Sequence, residues 1–123
     1  MSLIDAKQTV RNLLLANTDL TTLLGGDQVY SVLAPTNAVY PYITIQEVGN
    51  APIDYADNTE TRAEISIQVD IWSKGNYSAI ASLVNDILTS AEPRFVREHS
   101  ADLAQTEPLV LHKALRYWTA PEV

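Results

Sequence analysis

Residues 62 to 72, Arg62-Ala63-Glu64-Ile65-Ser66-Ile67-Gln68-Val69-Asp70-Ile71-Trp72, alternate between apolar and polar side chains. Successive side chains of a strand point to opposite faces, so Ile65, Ile67, Val69 and Ile71 share an oily face. Glu64, Ser66, Gln68, Asp70 and Trp72 share a wet one. The β-branched residues on the oily side strengthen the strand assignment. A sheet with one packed face and one polar face belongs to antiparallel, mixed α+β architecture, not to a doubly wound nucleotide fold. Trp72 closes the wet face with a large ring that calls for a partner surface.

Outward from this strand, Tyr42 to Val48 alternates in the same way, with Ile43 and Ile45 against Thr44 and Gln46. Gly49 to Thr61 reads as a loop, so the two strands form an antiparallel hairpin with a long tip. Further back, Gln28 to Leu33 is a short strand and Ala34 to Pro41 a loop. Leu3, Ala6, Val10, Leu13 and Leu14 recur at helical spacing and predict a helix over 3–16. Asn17-Thr18-Asp19 offers a new N-cap, Leu20, Leu23 and Leu24 continue for a turn or two, and Gly25-Gly26 stops them.

On the other side, Ser73 to Asn76 turns the chain. Tyr77, Ile80, Val84, Ile87, Leu88 and Ala91 mark a helix over about 77–90, with Asn76 as a plausible cap. Residues 92–107 hold only Phe95 and Val96 as strong apolar anchors and receive no assignment. Leu109 to Thr119 is the last strand, with Leu109, Leu111, Leu115 and Tyr117 on one face. The expected fold is α+β: a single, mostly antiparallel sheet of about four strands with two main helices on one face. The order is helix, strand, strand, strand, helix, strand.

The 123 residues suit one domain spanning 1–123. The absence of cysteine excludes disulfides, thiol catalysis and cysteine-ligated zinc. No apolar run reaches the roughly 20 residues of a membrane span. Met1 to Lys7 lacks the basic and apolar regions of a signal peptide. The chain is therefore expected to be soluble, with no membrane partner, and to stay in its cell unless it leaves within an assembly. Fifteen acids against eight bases give a net charge of −7. Solubility alone accounts for such a charge. It also argues against tight wrapping on nucleic acid, which needs cations against phosphates.

Catalytic constellations are not visible. His99 and His112 lie thirteen residues apart, in an expected loop and an expected strand, with no carboxylate spacing that completes a metal set. Gly25-Gly26 ends a helix and lacks the continuation of a phosphate loop. No serine sits in a nucleophile elbow. Asp54 and Asp57 are a carboxylate pair without a histidine or apolar pocket, which fits a solvated loop better than acid–base work. No cofactor or metal is expected.

Two features favour interaction. Tyr30, Tyr40, Tyr42, Tyr55, Trp72, Tyr77, Tyr117 and Trp118 are side chains favoured at interfaces, although core packing accounts for many of them. The stretch from 47 to 64 carries five acids, Glu47, Asp54, Asp57, Glu60 and Glu64, against the single base Arg62. It is either a solvated hairpin tip or an acidic finger for a partner or a channel.

Taken in order, Leu23-Leu24-Gly25-Gly26, Val29-Tyr30-Ser31-Val32-Leu33-Ala34-Pro35, Tyr40-Pro41-Tyr42-Ile43-Thr44-Ile45-Gln46, Gln68-Val69-Asp70-Ile71-Trp72 and the helix from Tyr77 to Leu88 form a familiar series. The chain resembles the tail terminator, or tail completion (tail-to-head joining), proteins of long-tailed bacteriophages and prophages. The resemblance spans about 5–90 and the last strand; residues 92–107 differ from the family's pattern. It implies a small structural subunit that joins others of its kind, six to a ring, on the head-proximal end of the tail tube. The implied partners are further copies of itself, the tail tube protein and the head connector or stopper, with DNA as passing cargo. The implied location is the virion tail, after assembly in the host cytoplasm. On this reading Glu64, Gln68, Asp70 and Trp72 are expected at a subunit interface. Asp54, Asp57 and Glu60 are expected on a loop facing the lumen or a neck partner. Six such chains multiply the charge of −7 sixfold, and carboxylates facing a channel repel phosphate over about 8 Å at physiological salt.

Other readings remain open. Another neck component, such as a head-closure or connector subunit, has the same sequence character. A small-molecule-binding or enzymatic α+β domain requires a pocket with convergent polar groups. A dimeric adaptor requires a two-fold interface and no ring.

Overall fold

The alternation quoted above forms the middle of the sheet. In the computed structural model, which describes residues 6–56, 59–91, 94–106 and 109–120, it lies in strand β3, Thr59–Ser73. The other elements are α1 (Ala6–Leu15), α2 (Thr18–Leu24), β1 (Val29–Ser31), β2 (Tyr42–Ala56), α3 (Ser78–Thr89), β4 (Val96–Thr106) and β5 (Leu109–Thr119). The strands form one mixed sheet in the order β1-β2-β3-β5-β4. Only the β1–β2 pair is parallel.

Register follows the oily face. Ile71 is level with Ile43 and Lys113, Val69 with Ile45 and Leu115, and Ile67 with Glu47 and Tyr117. A slip of one residue would turn every one of these side chains to the other face, so the apolar pattern fixes the pairing. All three helices cover this face. Val10 and Leu14 of α1, Leu20 and Leu24 of α2, and Ile80, Val84 and Leu88 of α3 are buried against Ile43, Ile45, Ile65, Ile67, Val69 and Ile71. Each such side chain contributes roughly 1.5–3 kcal/mol by leaving water.

Local chemistry sets the helix ends. The Asn17 side chain accepts from the Leu20 N–H at 2.9 Å and starts α2. Gly25, at φ 81°, ends it in the left-handed conformation that glycine adopts without a Cβ penalty. At α3 the N-cap is Tyr77, which makes no side-chain cap bond; Asn76, expected as the cap, stands one residue earlier and accepts from the Ser78 N–H at 2.9 Å. The expected start of the first helix at residue 3 lies outside the described residues.

Three local expectations are corrected and one unassigned stretch is placed. First, the stretch expected as a loop from Gly49 to Thr61, carrying Asp54 and Glu60, is mostly strand. β2 runs to Ala56 and β3 starts at Thr59, with Asp54 opposite Arg62 and Tyr55 opposite Glu60. Register shifts near Gly49 and Pro52 absorb residues that fit a strand poorly. Pro52 is tolerated because β2 has no outer neighbour there, so no ladder bond is lost. Second, residues 96–106 supply a fifth strand at the sheet edge. An edge strand buries little and need not show apolar alternation. Third, His99 lies on that strand and not in a loop. Fourth, β1 is only Val29–Ser31, because Val32 turns away at φ 67°.

Candidate functional site

The face of the sheet opposite the helices carries the polar half of the alternation and forms a connected network. Trp72 on β3 lies level with Tyr42 on β2 and His112 on β5. Its ring stacks on the His112 imidazole at 3.9 Å and on Tyr42 at 6.3 Å, and its indole N–H donates to Thr44 Oγ1 at 3.0 Å. Tyr30 and Tyr40 extend the row by ring contacts with Tyr42. The Lys74 ammonium sits 5.1 Å from the Tyr40 ring centre.

One row further along, the Asp70 carboxylate lies 2.7 Å from His112 Nε2 and accepts from Gln68 Nε2 at 3.0 Å. Gln68 Oε1 in turn accepts from Arg116 at 2.8 Å. Asp70 is 4% exposed although no helix among the described residues covers this face. A histidine paired with an aspartate is half of a general-base device. Here Nε2 is committed to Asp70 and the ring is committed to Trp72, so the pair holds side chains flat on the sheet. Among the described residues no group of three metal-binding side chains gathers.

Of the expected interface residues, Gln68, Asp70 and Trp72 belong to this network, and Glu64 lies exposed on the same face toward the β2–β3 hairpin. Asp54 and Glu60 lie in the hairpin where its strands pair only with each other. Asp57 lies outside the described residues. The network and the hairpin are thus separate parts of one strand pair.

On the helical side, a groove of about 870 Å³ opens between α3 and the β4–β5 hairpin. Tyr77 donates its hydroxyl to Asp102 at 2.6 Å, and Lys113 donates to the same carboxylate at 3.1 Å. The hydrogen bond to Asp102 pushes the Tyr77 hydroxyl up to about 12, and the same bond, with Lys113, holds Asp102 below its ordinary value. Burial pushes the Tyr117 hydroxyl up to about 12 as well, opposed by Arg97 and aided by Asp86. Tyr117 donates to Asn85 Oδ1 at 3.0 Å.

A further surface has a signal in the sequence that lies outside the alternation. No charged residue lies between Asp27 and Glu47. The loop after β1 places Leu33 at 81%, Val39 at 65% and Val32 at 57% exposure. Val32 takes a left-handed backbone that costs a β-branched residue roughly 1–2 kcal/mol, and its N–H donates to Ile45 O at 2.7 Å. An uncharged run longer than its strands need is the mark of such an edge.

No helix among the described residues is long and apolar enough to cross a membrane. A family model described as Tail completion protein gp17 matches residues 8–118. Two solved structures share the fold. A chain of the virion of a native gene transfer agent particle superposes with a TM-score of 0.69 at 18% identity, covering 93% of this chain and 92% of that one. The gp17 protein of bacteriophage SPP1 superposes with a TM-score of 0.56 at 17% identity, covering 94% and 88%. No curated protein sequence matches significantly.

Proposed function

This chain belongs to the Tail completion protein gp17 family, and from that premise we propose that it caps the head-proximal end of a phage tail tube as a ring and joins the tube to the head connector. The family makes it a structural part of the bacteriophage tail, taking part in virion assembly. The observation that carries the finer reading is the family match over nearly the whole length, residues 8–118. The open sheet edges and the paired hairpin, described above, suit a subunit that meets other proteins.

On this reading the chain is a single structural domain and not an enzyme. Its partners are further copies of itself, six to a ring, the tail tube protein and a connector or stopper. DNA passes through the ring as cargo, and the chain assembles in the host cytoplasm before it resides in the virion. Particles made without it should have overlong tubes and unattached heads in electron micrographs. Tubes of normal length with heads attached would overturn the reading. Heads that fail to close on otherwise capped tails would transfer the chain to another neck position.

The wet face carrying Glu64, Gln68, Asp70 and Trp72 is assigned to a subunit interface, with Asp70 holding Gln68 and His112 in place within it. Trp72→Ala removes a large amphipathic ring. It should reduce the fraction of chain found in assembled rings more than it lowers the urea midpoint of the free chain. Asp54, Asp57 and Glu60 are assigned to the lumen or to a neck partner. Replacing them together by Asn, Asn and Gln should leave the circular dichroism spectrum unchanged and lower the yield of infectious particles. An unchanged yield would remove that assignment.

A further inference from the structure

The sheet has two unlike open edges, and both bear on how copies meet. On one side, β1 pairs with β2 only from Ile43 to Ile45. The Arg11 Nε donates to Val29 O at 2.8 Å, so a side chain takes up a carbonyl of β1 itself. Ile43 N–H donates to Gln28 O and Ile45 O accepts from Val32 N–H. These bonds turn the backbone polar groups of residues 43 and 45 outwards. The same parity turns those of Glu47 outwards, where β1 has already ended. On the other side, β4 is an edge along its whole length. Unpaired strand edges are templates for a further strand.

The registers add a second, independent coincidence. Glu47 is level with Ile67, Ile67 with Tyr117, and Tyr117 with Arg97. One row of the sheet therefore starts with a carboxylate at one open edge and ends with a guanidinium at the other. Ile67 and Tyr117 are buried on the helical face, so Glu47 and Arg97 occupy register positions on that same face. Both are exposed. Glu47 accepts from Asn50 Nδ2 at 3.2 Å, and Arg97 has no carboxylate partner among the described residues. Around this row, the β2–β3 hairpin adds four more acids and one base, whereas at the β4 edge Arg94 and Arg97 stand with Glu98 and Asp102, the latter taken up by Lys113 and Tyr77.

We infer that neighbouring copies meet edge to edge, the β2 edge of one against the β4 edge of the next, with Glu47 of the first opposite Arg97 of the second. The occupant of each edge is thus a second copy of this chain, selected by charge and by strand pairing. Two unlike patches joined this way form a head-to-tail contact, which is the kind that builds rings. This inference rests on the ring reading and adds an edge contact to the face assigned above.

The test is reciprocal charge reversal, read by sedimentation of the purified chain and by its binding to tail tubes isolated from particles lacking it. Glu47→Arg leaves arginine at both edges, and Arg97→Glu leaves glutamate at both. Each variant alone should need about tenfold or more chain for half-assembly, because like charges across an interface oppose association. Mixing the two variants in equal amounts should restore assembly, since opposite charges then alternate around the ring. The double variant carrying both reversals should assemble alone. Circular dichroism checks that each variant is folded.

If both single variants assemble as the parent does, the edge contact is wrong and the ring reading survives. If neither the mixture nor the double variant recovers, the Glu47–Arg97 pairing is wrong. If the parent chain neither self-associates nor binds tubes, both readings fail.

Discussion

Among single residues, Asp70 has the most dependants. Its carboxylate holds Gln68 and His112, and His112 backs the Trp72 ring. Asp70→Ala leaves two donors without their acceptor in a nearly covered site, which should cost about 1–3 kcal/mol by urea unfolding. Asp70→Asn keeps an acceptor and should cost less. Two phenols govern the alkaline limb. Tyr117 and Tyr77 both lie at about 12, above the ordinary 10.0. Below about pH 10 folded and unfolded chains both keep these protons, and the stabilisation is complete. Between about 10 and 12 the unfolded chain loses them first, so stability should fall as pH rises. Tyr117→Phe should flatten that fall in urea midpoints measured against pH, at a cost of about 1 kcal/mol near neutrality for the lost bond to Asn85. Trp72 stood out in the sequence because a large ring on a polar face breaks the alternation. His112 did not, because its partners lie some forty residues away in the chain and meet it only through strand order.

Elements were legible in proportion to the surface they bury. The central strand, β2 as far as Val48, β5 and the three helical segments show apolar spacing because each turns one side to the core. The Asn17 cap and the Gly25 stop follow from residue chemistry alone, and Asn17→Ala should lower stability by about 1 kcal/mol in thermal or urea unfolding. β4, the far half of β2 and the first three residues of β3 were illegible for the converse reason. They are held by backbone pairing, and Pro52 with its neighbours argues against a strand to any propensity scale. That has a measurable result. Amides of Asn50 and Ala51 should exchange hydrogen faster than those of Ile45, Val69 and Ile71, which lie in the middle of the sheet over buried side chains. Equal protection throughout β2 would mean that the hairpin has a support in the free chain beyond its own pairing.

Across the whole molecule, acids outnumber bases, but not evenly. The segment 47–64 carries five of the fifteen acids, whereas Arg94, Arg97, Lys113 and Arg116 on β4, β5 and the approach to them are half of the eight bases. Association through such unlike ends should weaken with salt, because the screening length falls from about 8 Å at 0.15 M to about 3 Å at 1 M. Sedimentation across that range checks it, and an assembly indifferent to salt would place the contact on apolar surface such as Leu33 and Val39 instead. The overall α+β class and the tail family were readable from pattern and order. Which surfaces lie free was not, since that depends on where β1 stops and on β4 standing last in the sheet. A sheet that begins and ends on different strands contains nothing to count its copies. Joined end to end, it closes only when each step turns by a whole fraction of a circle without rising. A small error in that step gives a screw, and copies joined that way would grow into fibres.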